Sequence, residues 1–279
     1  MKLNLKKILK IFFAGLFVSV LIFLCTATLY LRQHYTVPIL MYHSVGEPRS
    51  SKDNLLTVSS ATFERQMKFL SERNYNVISL SQLAKFMKDK APIPARSVVI
   101  TFDDGYRNNL TVAFPILKKY NLAATIFVAP KEISVVPDYL NWNELKELSD
   151  SPLIEIGSHS LDHNFLLDIK DKDGLVHRIR NSKKILQKLL DEPVDLFSYP
   201  GGGFNKEIRQ MVIDSGYVSA VATKPGLRYP ENDIFALKRI SIREKDKNLF
   251  VFRMKLSGFY VAMKDWQRRH KDVGIKYYE

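Results

Sequence analysis

Two short stretches carry residues whose types and spacing could do chemistry. Asp103-Asp104 follows the apolar run 97–102, and His159 and His163 stand four apart just after another such run, 153–156. On a helix or turn, a four-residue spacing points both imidazoles the same way. Two neutral imidazoles and one carboxylate make a site for zinc or a similar divalent ion, with positions left for water and substrate. Either pair alone is ordinary, because histidine pairs occur on surfaces and Asp-Asp-Gly is a common turn. Supplied together, each at a strand end, they are expected to share one face. His43 after 38–42 and Pro200-Gly201-Gly202-Gly203 after 194–199 bring the strand-end clusters to four.

The elements that must position these residues alternate in kind. Strand-like apolar runs occupy 38–42, 77–80, 97–102, 123–128, 153–156, 194–199, 218–222 and 236–242. Helical stretches lie between them at 61–73, 81–88 with Ser81 as its cap, 108–120, 142–148, 175–190 and 206–214. Such alternation predicts a parallel sheet with right-handed crossovers. Because polar or glycine-rich clusters fall at carboxyl ends of strands, where barrels build their sites, the expectation is an α/β fold. It would be a distorted (β/α) barrel of about seven parallel strands.

The chain has 279 residues, 46% hydrophobic and 25% charged, which excludes a disordered polymer and allows a full core. The single cysteine, Cys25, excludes a disulfide framework or a cysteine zinc module. Net charge is +13, suited to polyanions or anionic lipid, and charge alone does not choose between them. Residues 11–31 carry no charge and are long enough as a helix to cross a bilayer. Lys2, Lys6, Lys7 and Lys10 precede that run, so the positive-inside rule leaves 1–10 as a cytoplasmic basic tail. The expectation is a single-pass cell-membrane anchor with everything beyond it extracytoplasmic. The alternative is a cleaved signal near Cys25 and a secreted protein. Residues 37–243 would form one catalytic domain and 244–279 an outer helix with a basic tail. No groove-reading motif is present, so nucleic acid is not an expected partner.

Thr101-Phe102-Asp103-Asp104-Gly105 resembles the first motif of the polysaccharide deacetylases, the NodB-homology or carbohydrate esterase family four. His159-Ser160-Leu161-Asp162-His163 resembles the second motif, and Phe197-Ser198-Tyr199-Pro200-Gly201-Gly202 a variant of the third. Ile39-Leu40-Met41-Tyr42-His43-Ser44 is similar to the branch that includes the poly-N-acetylglucosamine deacetylases. The resemblance implies that Asp104, His159 and His163 bind a divalent metal and that Asp103 is the general base. The metal would be zinc, with cobalt, nickel or ferrous iron as alternatives. It further implies a substrate or oxyanion contact along Tyr199, Pro200 and Gly201, with backbone N–H near Gly201 approaching the oxyanion. Tyr42, Tyr199 and Trp142 could each stack on a sugar ring, but a core role is the commoner one for such aromatics, and Tyr199 is the best placed because it flanks the glycine run. The implied activity is N-deacetylation of a cell-envelope or exopolysaccharide glycan, of poly-N-acetylglucosamine or peptidoglycan type.

Two departures bear on that reading. Ser198 stands where the family has an arginine that tunes the base, and the late strand 236–242 lacks the histidine that serves as general acid. Arg239 is the candidate for the missing guanidinium and His43 for the missing acid. Asp162 reads as a turn residue, and His34, His177 and His270 as surface. The alternatives are a degenerate member that binds glycan without turnover, an O-acetyl esterase on the same fold, and an envelope protein that binds polyanions.

Overall fold

The computed structural model describes residues 5–33, 36–47, 55–135, 137–223, 233–261, 263–264 and 267. The strands are β1 (Ile39–Tyr42), β2 (Ser44–Val45), β3 (Thr57–Val58), β4 (Asn76–Val77), β5 (Ser97–Phe102), β6 (Ala124–Val128), β7 (Ile154–Ser158), β8 (Leu196–Ser198), β9 (Ser219–Ala222), β10 (Leu237–Lys238) and β11 (Ile240–Ser241). The helices are α1 (Leu5–Gln33), α2 (Ser60–Glu72), α3 (Leu80–Lys88), α4 (Phe114–Tyr120), α5 (Trp142–Ser149), α6 (Lys172–Leu190), α7 (Lys206–Asp214) and α8 (Leu249–Lys255).

Among the described residues nine strands form the main sheet in the order β10-β9-β8-β7-β6-β5-β1-β11, with β4 beside β5, and each of these pairings is parallel. β10 and β11 are two halves of one segment parted by Arg239. The first half pairs with β9 and the second with β1, so this segment draws the two edges of the sheet together. Thr223 Oγ1 reaches Met41 Sδ at 3.3 Å across the seam. Counted as one stave, the split segment makes the nearly closed ring seven-fold, as the sequence predicts. The short pair β2–β3 was not expected, since two residues leave no periodic signal.

β5 is buried along its whole length, the condition of a parallel strand covered on both faces. Alternation sends Leu40 and Tyr42 outward to the helices, while Ile39, Val99, Phe127, Leu196, Val221 and Leu237 form an inner apolar layer. α3 adds Leu80 and Leu83 to that layer from the amino end of the strands. Two residues further along the strands, at the carboxyl end, the inner positions become Thr101, Ser198 and Arg239, and two further still, just past β5, Asp103. The barrel therefore changes from apolar to polar at its mouth.

Caps refine the expected boundaries. α3 starts one residue early, at Leu80, because Ser79, not Ser81, caps it, in a capping box with Gln82. That takes 78–80 out of the expected strand, leaving only β4. α6 begins at Lys172 rather than at 175, capped by Asp171, which accepts from the N–H groups of Asp173 and Gly174. The predicted helix 108–120 divides into a π-helical turn at Asn109–Ala113 and α4. Such turns are frequent at functional sites, and here Asn109 Nδ2 donates to the His43 carbonyl at 2.8 Å. α1 contains an apolar window, Leu9–Thr26, with mean hydropathy 2.3 and none of it buried. His34, His270 and the basic tail beyond 267 lie outside the described residues.

Candidate active site

Asp103 N–H donates to the Tyr42 carbonyl at 3.0 Å, so the first residue past β5 continues the ladder and its side chain faces inward. There Arg239 grips it with two parallel bonds, Nη1 to Oδ1 at 2.7 Å and Nη2 to Oδ2 at 2.6 Å. Both side chains are buried. Arg239 also donates to Ser198 Oγ at 2.9 Å and Thr101 Oγ1 at 3.2 Å, and its guanidinium lies 5.6 Å from the Phe127 ring centroid. Thr101 Oγ1 in turn donates to the Leu40 carbonyl at 2.8 Å. Burial alone would raise the Asp103 carboxyl, but the charge of Arg239 and its hydrogen bonds outweigh it. The group is held well below the usual carboxylate range, with His43 adding to the effect. The guanidinium expected in place of Ser198 thus comes from Arg239, and Ser198 is one of its acceptors.

Asp104 turns the other way. Its φ of 74° and that of Gly105, 72°, swing the chain out of the strand, a conformation that costs a non-glycine residue about 1–3 kcal/mol and clusters at functional sites. Asp104 Oδ1 then stands 3.5 Å from His159 Nε2 and 3.4 Å from His163 Nε2. His159 Nδ1 lies 2.9 Å from the Ser198 carbonyl, which can only accept, so that nitrogen carries the proton and Nε2 presents a lone pair. Burial lowers the His159 pKa further, against the opposing charges of Asp103 and Asp104, which keeps the ring neutral. A lone pair and a carboxylate oxygen thus face each other across 3.5 Å. His163 Nε2 is buried with no hydrogen-bond partner.

Among the described residues no group of three or more His, Cys, Asp or Glu side chains is arranged to hold a metal ion as it stands. The donor chemistry nevertheless fits a divalent cation. One anionic oxygen and two imidazole nitrogens converge, one nitrogen is an orphaned buried atom, and a cation would relieve the facing acceptors. Of the two settings their spacing allows, helix or turn, the two histidines take the non-helical one. They flank a loop after β7 in which Ser160 adopts φ of 66°, and the rings meet at 5.7 Å between centroids.

That loop is tied down by Asp162, which accepts from Arg178 and from Asn164 Nδ2 at 3.0 Å and pairs with Lys131 at 3.8 Å. Asp162 is therefore a turn residue, as expected. His177 is exposed, also as expected. His43 directly follows β1, half-buried and within electrostatic reach of Asp103.

The aromatics weighed between sugar platform and core take the core role, which corrects the substrate contact expected of Tyr199. Tyr199 is fully buried, lies stacked on Phe204 at 4.3 Å and donates its hydroxyl to the Phe235 carbonyl at 3.0 Å, so its ring has no face for a sugar. Tyr42 is equally buried and donates to Gln66 Oε1 at 2.9 Å. Trp142 packs half-buried against the core. Pro200 is buried. Gly201 (φ 64°) is exposed with the Phe165 ring against it, and a Cβ there would meet that ring at 2.1 Å. Gly202 (φ 74°) would meet Thr223 backbone nitrogen at 2.5 Å, so glycine is required where this loop crosses β9's end.

The aromatic groups that do border the site are ones the sequence reading passed over. Tyr139 lies edge-on to His163 at 5.5 Å and to Tyr106 at 4.9 Å. A bridge between Tyr106 and Tyr139 holds the loops after β5 and β6 together, with Arg107 N–H donating to Asp138 and Leu140 N–H to Gly105. The available signal was Tyr106 itself, next to Asp-Asp-Gly.

Residues 90–220 match the family model described as polysaccharide deacetylase. YxkH of Bacillus subtilis strain 168, assigned by name to the polysaccharide deacetylases, is 33% identical over 207 residues, 74% of this chain and 71% of that protein. The poly-beta-1,6-N-acetyl-D-glucosamine N-deacetylase of Staphylococcus aureus is 27% identical over 228 residues, 77% of this chain and 73% of that protein. Among solved structures, the Streptococcus pyogenes deacetylase PplD, in complex with acetate, superimposes with a TM-score of 0.69 at 26% identity, covering 77% of this chain and 96% of that one.

Proposed function

Because this chain belongs to the polysaccharide deacetylase family, a group of carbon–nitrogen hydrolases, we propose that it is an extracytoplasmic, metal-dependent N-deacetylase of an envelope or matrix glycan. The S. aureus relative named for poly-β-1,6-N-acetylglucosamine points to that polymer, with a peptidoglycan-type strand as the other candidate. The observation that carries the reading is the meeting of two carboxylate sites on one rim: Asp103 with Arg239, and Asp104 with His159 and His163.

In this reading Asp104, His159 and His163 hold the metal, zinc by donor type. When bound, a divalent cation there supplies Lewis-acid polarisation of the amide carbonyl and makes water a better nucleophile. Asp103 takes the proton from the attacking water, and Arg239 keeps that carboxylate ionised and aimed. His43 gives a proton to the departing amine nitrogen as the C–N bond breaks, so acetate and a free amino sugar leave. Backbone N–H near Gly201 faces the carbonyl oxygen as it gains charge. Residues 11–31 anchor the enzyme, with Lys2, Lys6, Lys7 and Lys10 on the cytoplasmic side.

The test is acetate release by the full chain from β-1,6- and β-1,4-linked N-acetylglucosamine oligomers and from O-acetylated xylan, with and without chelator. Chelator-sensitive release from an N-acetylated oligomer is the expected result. Release from xylan alone would make the protein an esterase. Stoichiometric metal without release from any of them would make it a glycan-binding protein.

A further inference from the structure

α8 packs one face into the larger core through Phe252 and Leu256. Its other face shows solvent Phe250 (72% exposed), Val251 (38%) and Met254 (48%), three neighbours on one helical stripe. The charges around it are sorted. Glu244 accepts from Ser59 N–H at 2.9 Å and Thr62 Oγ1 at 3.0 Å, and Asp246 is buried against Lys255 at 2.7 Å. Lys255 itself is drawn inward, donating also to the Ser241 carbonyl at 2.8 Å. Both acids of this segment thus point into the protein, whereas Arg243, Lys245, Lys247 and Arg253 are exposed. An apolar stripe ringed by cations is the pattern of a helix that lies in a membrane interface.

A second, independent feature says which surface is near. Thr36 donates both its N–H, at 3.0 Å, and its hydroxyl, at 3.2 Å, to the Gly258 carbonyl. Ser257 N–H donates to the Met254 carbonyl at 3.2 Å, so the end of α8 abuts this junction. The uncharged N-terminal run ends at Leu31. Residues 32–36 can reach at most roughly 17 Å when extended. Headgroups take up about 5–8 Å of that on each side of a bilayer. The end of α8 is therefore held within about one Debye length of the lipid surface.

We infer that Phe250, Val251 and Met254, with Arg243, Lys245, Lys247 and Arg253 around them, form a docking face for anionic lipid. This rests on the anchor reading above. Docking lays the barrel on its side, because residues 243–258 run back from the carboxyl end of β11 to the chain entering β1. The mouth then opens along the membrane rather than into it.

The experiment uses the full chain reconstituted in vesicles of phosphatidylcholine with phosphatidylglycerol, or of phosphatidylcholine alone. A polarity-sensitive fluorophore is placed by Val251→Cys, or by Lys188→Cys on α6 as control, both in a Cys25→Ser background. The expected result is a blue-shifted emission at 251, quenched several-fold more than at 188 by headgroup spin-labelled lipid. It should weaken in neutral vesicles and in the variant with Arg243, Lys245, Lys247 and Arg253 all changed to Gln. Acetate release from a soluble oligomer in detergent should be unchanged by that variant. Equal, water-like emission at 251 and 188 in a chain that resists alkaline extraction would overturn the docking face and leave the anchor standing. Extraction of the chain by alkali would overturn the anchor and the tether with it. A signal set by protein-to-lipid ratio rather than lipid charge would assign the face to a second copy of the chain and overturn the lipid reading.

Discussion

Across the rim of the barrel, the pocket around Asp103 is crowded with donors, while the pocket around Asp104 gathers acceptors. Arg239 satisfies both oxygens of Asp103 and is steadied by Ser198 and Thr101. Asp104 instead faces two imidazole nitrogens, one with its lone pair fixed by the Ser198 carbonyl and one without a partner. Two adjacent residues of the same type thus acquire different chemistry from what surrounds them. The first pocket is satisfied by protein atoms alone, and the second leaves His163 Nε2 without a hydrogen-bond partner, which is where the proposed reading puts a cation. Ser198 joins them, its hydroxyl on Arg239 and its carbonyl on His159.

The largest effect should come from emptying the acceptor pocket. His159→Ala is expected to lose bound metal and to reduce acetate release to the level of chelated enzyme, read by metal analysis and turnover on the same preparation. Arg239→Ala attacks the donor pocket and should leave metal in place. It strands a buried carboxylate, which typically costs about 3–5 kcal/mol, measured by denaturant unfolding. Arg239→Lys should recover part of that, since it keeps the charge but not the two-pronged fit.

The same variant has a pH signature. In the parent, the lowered Asp103 pKa contributes stability that is present above the unfolded-state carboxylate pKa and fades only as pH falls through the depressed folded value. Without Arg239 the carboxyl relaxes upward, so the contribution should be lost at higher pH. Unfolding midpoints across the acid range would read this, and an unchanged acid limb would contradict the pairing.

His43→Ala should cost less. Metal and fold should persist, and amide turnover should drop by about 10²-fold, the lower end for a positioned acid. An activated ester, whose leaving group needs no proton, should suffer less, and equal losses would make His43 structural. Smallest of all, Tyr199→Phe should cost about 1 kcal/mol of stability for one buried hydrogen bond and leave turnover unchanged. A changed KM for glycan would return that ring to the substrate side.

The inward register of the barrel was legible wherever a strand ran long enough to alternate. Leu237 and Arg239 are two apart, so an inward leucine predicts an inward arginine, and Asp103 follows Thr101 by the same rule. The mouth was legible because polar residues stand at strand ends. The His159–His163 loop was not, since its shape depends on Ser160 in a left-handed conformation, which a serine does not advertise. Tyr199 misled for a related reason. A tyrosine beside a glycine loop suits a sugar platform or a core brace equally, and only the stacking on Phe204 distinguishes them. The start of α3 was misplaced because Ser79 and Ser81 are equally good caps by type, and only Gln82 closes a box with the former.

The division of labour between the two aspartates is tested most directly by comparing Asp103→Asn with Asp104→Asn, measuring metal per chain and acetate release on each. Asp103→Asn should keep full metal and lose about 10²–10⁴-fold in turnover, the worth of a positioned base. Asp104→Asn should lose metal and turnover together. Full metal in Asp104→Asn, or metal lost from Asp103→Asn, would contradict the account.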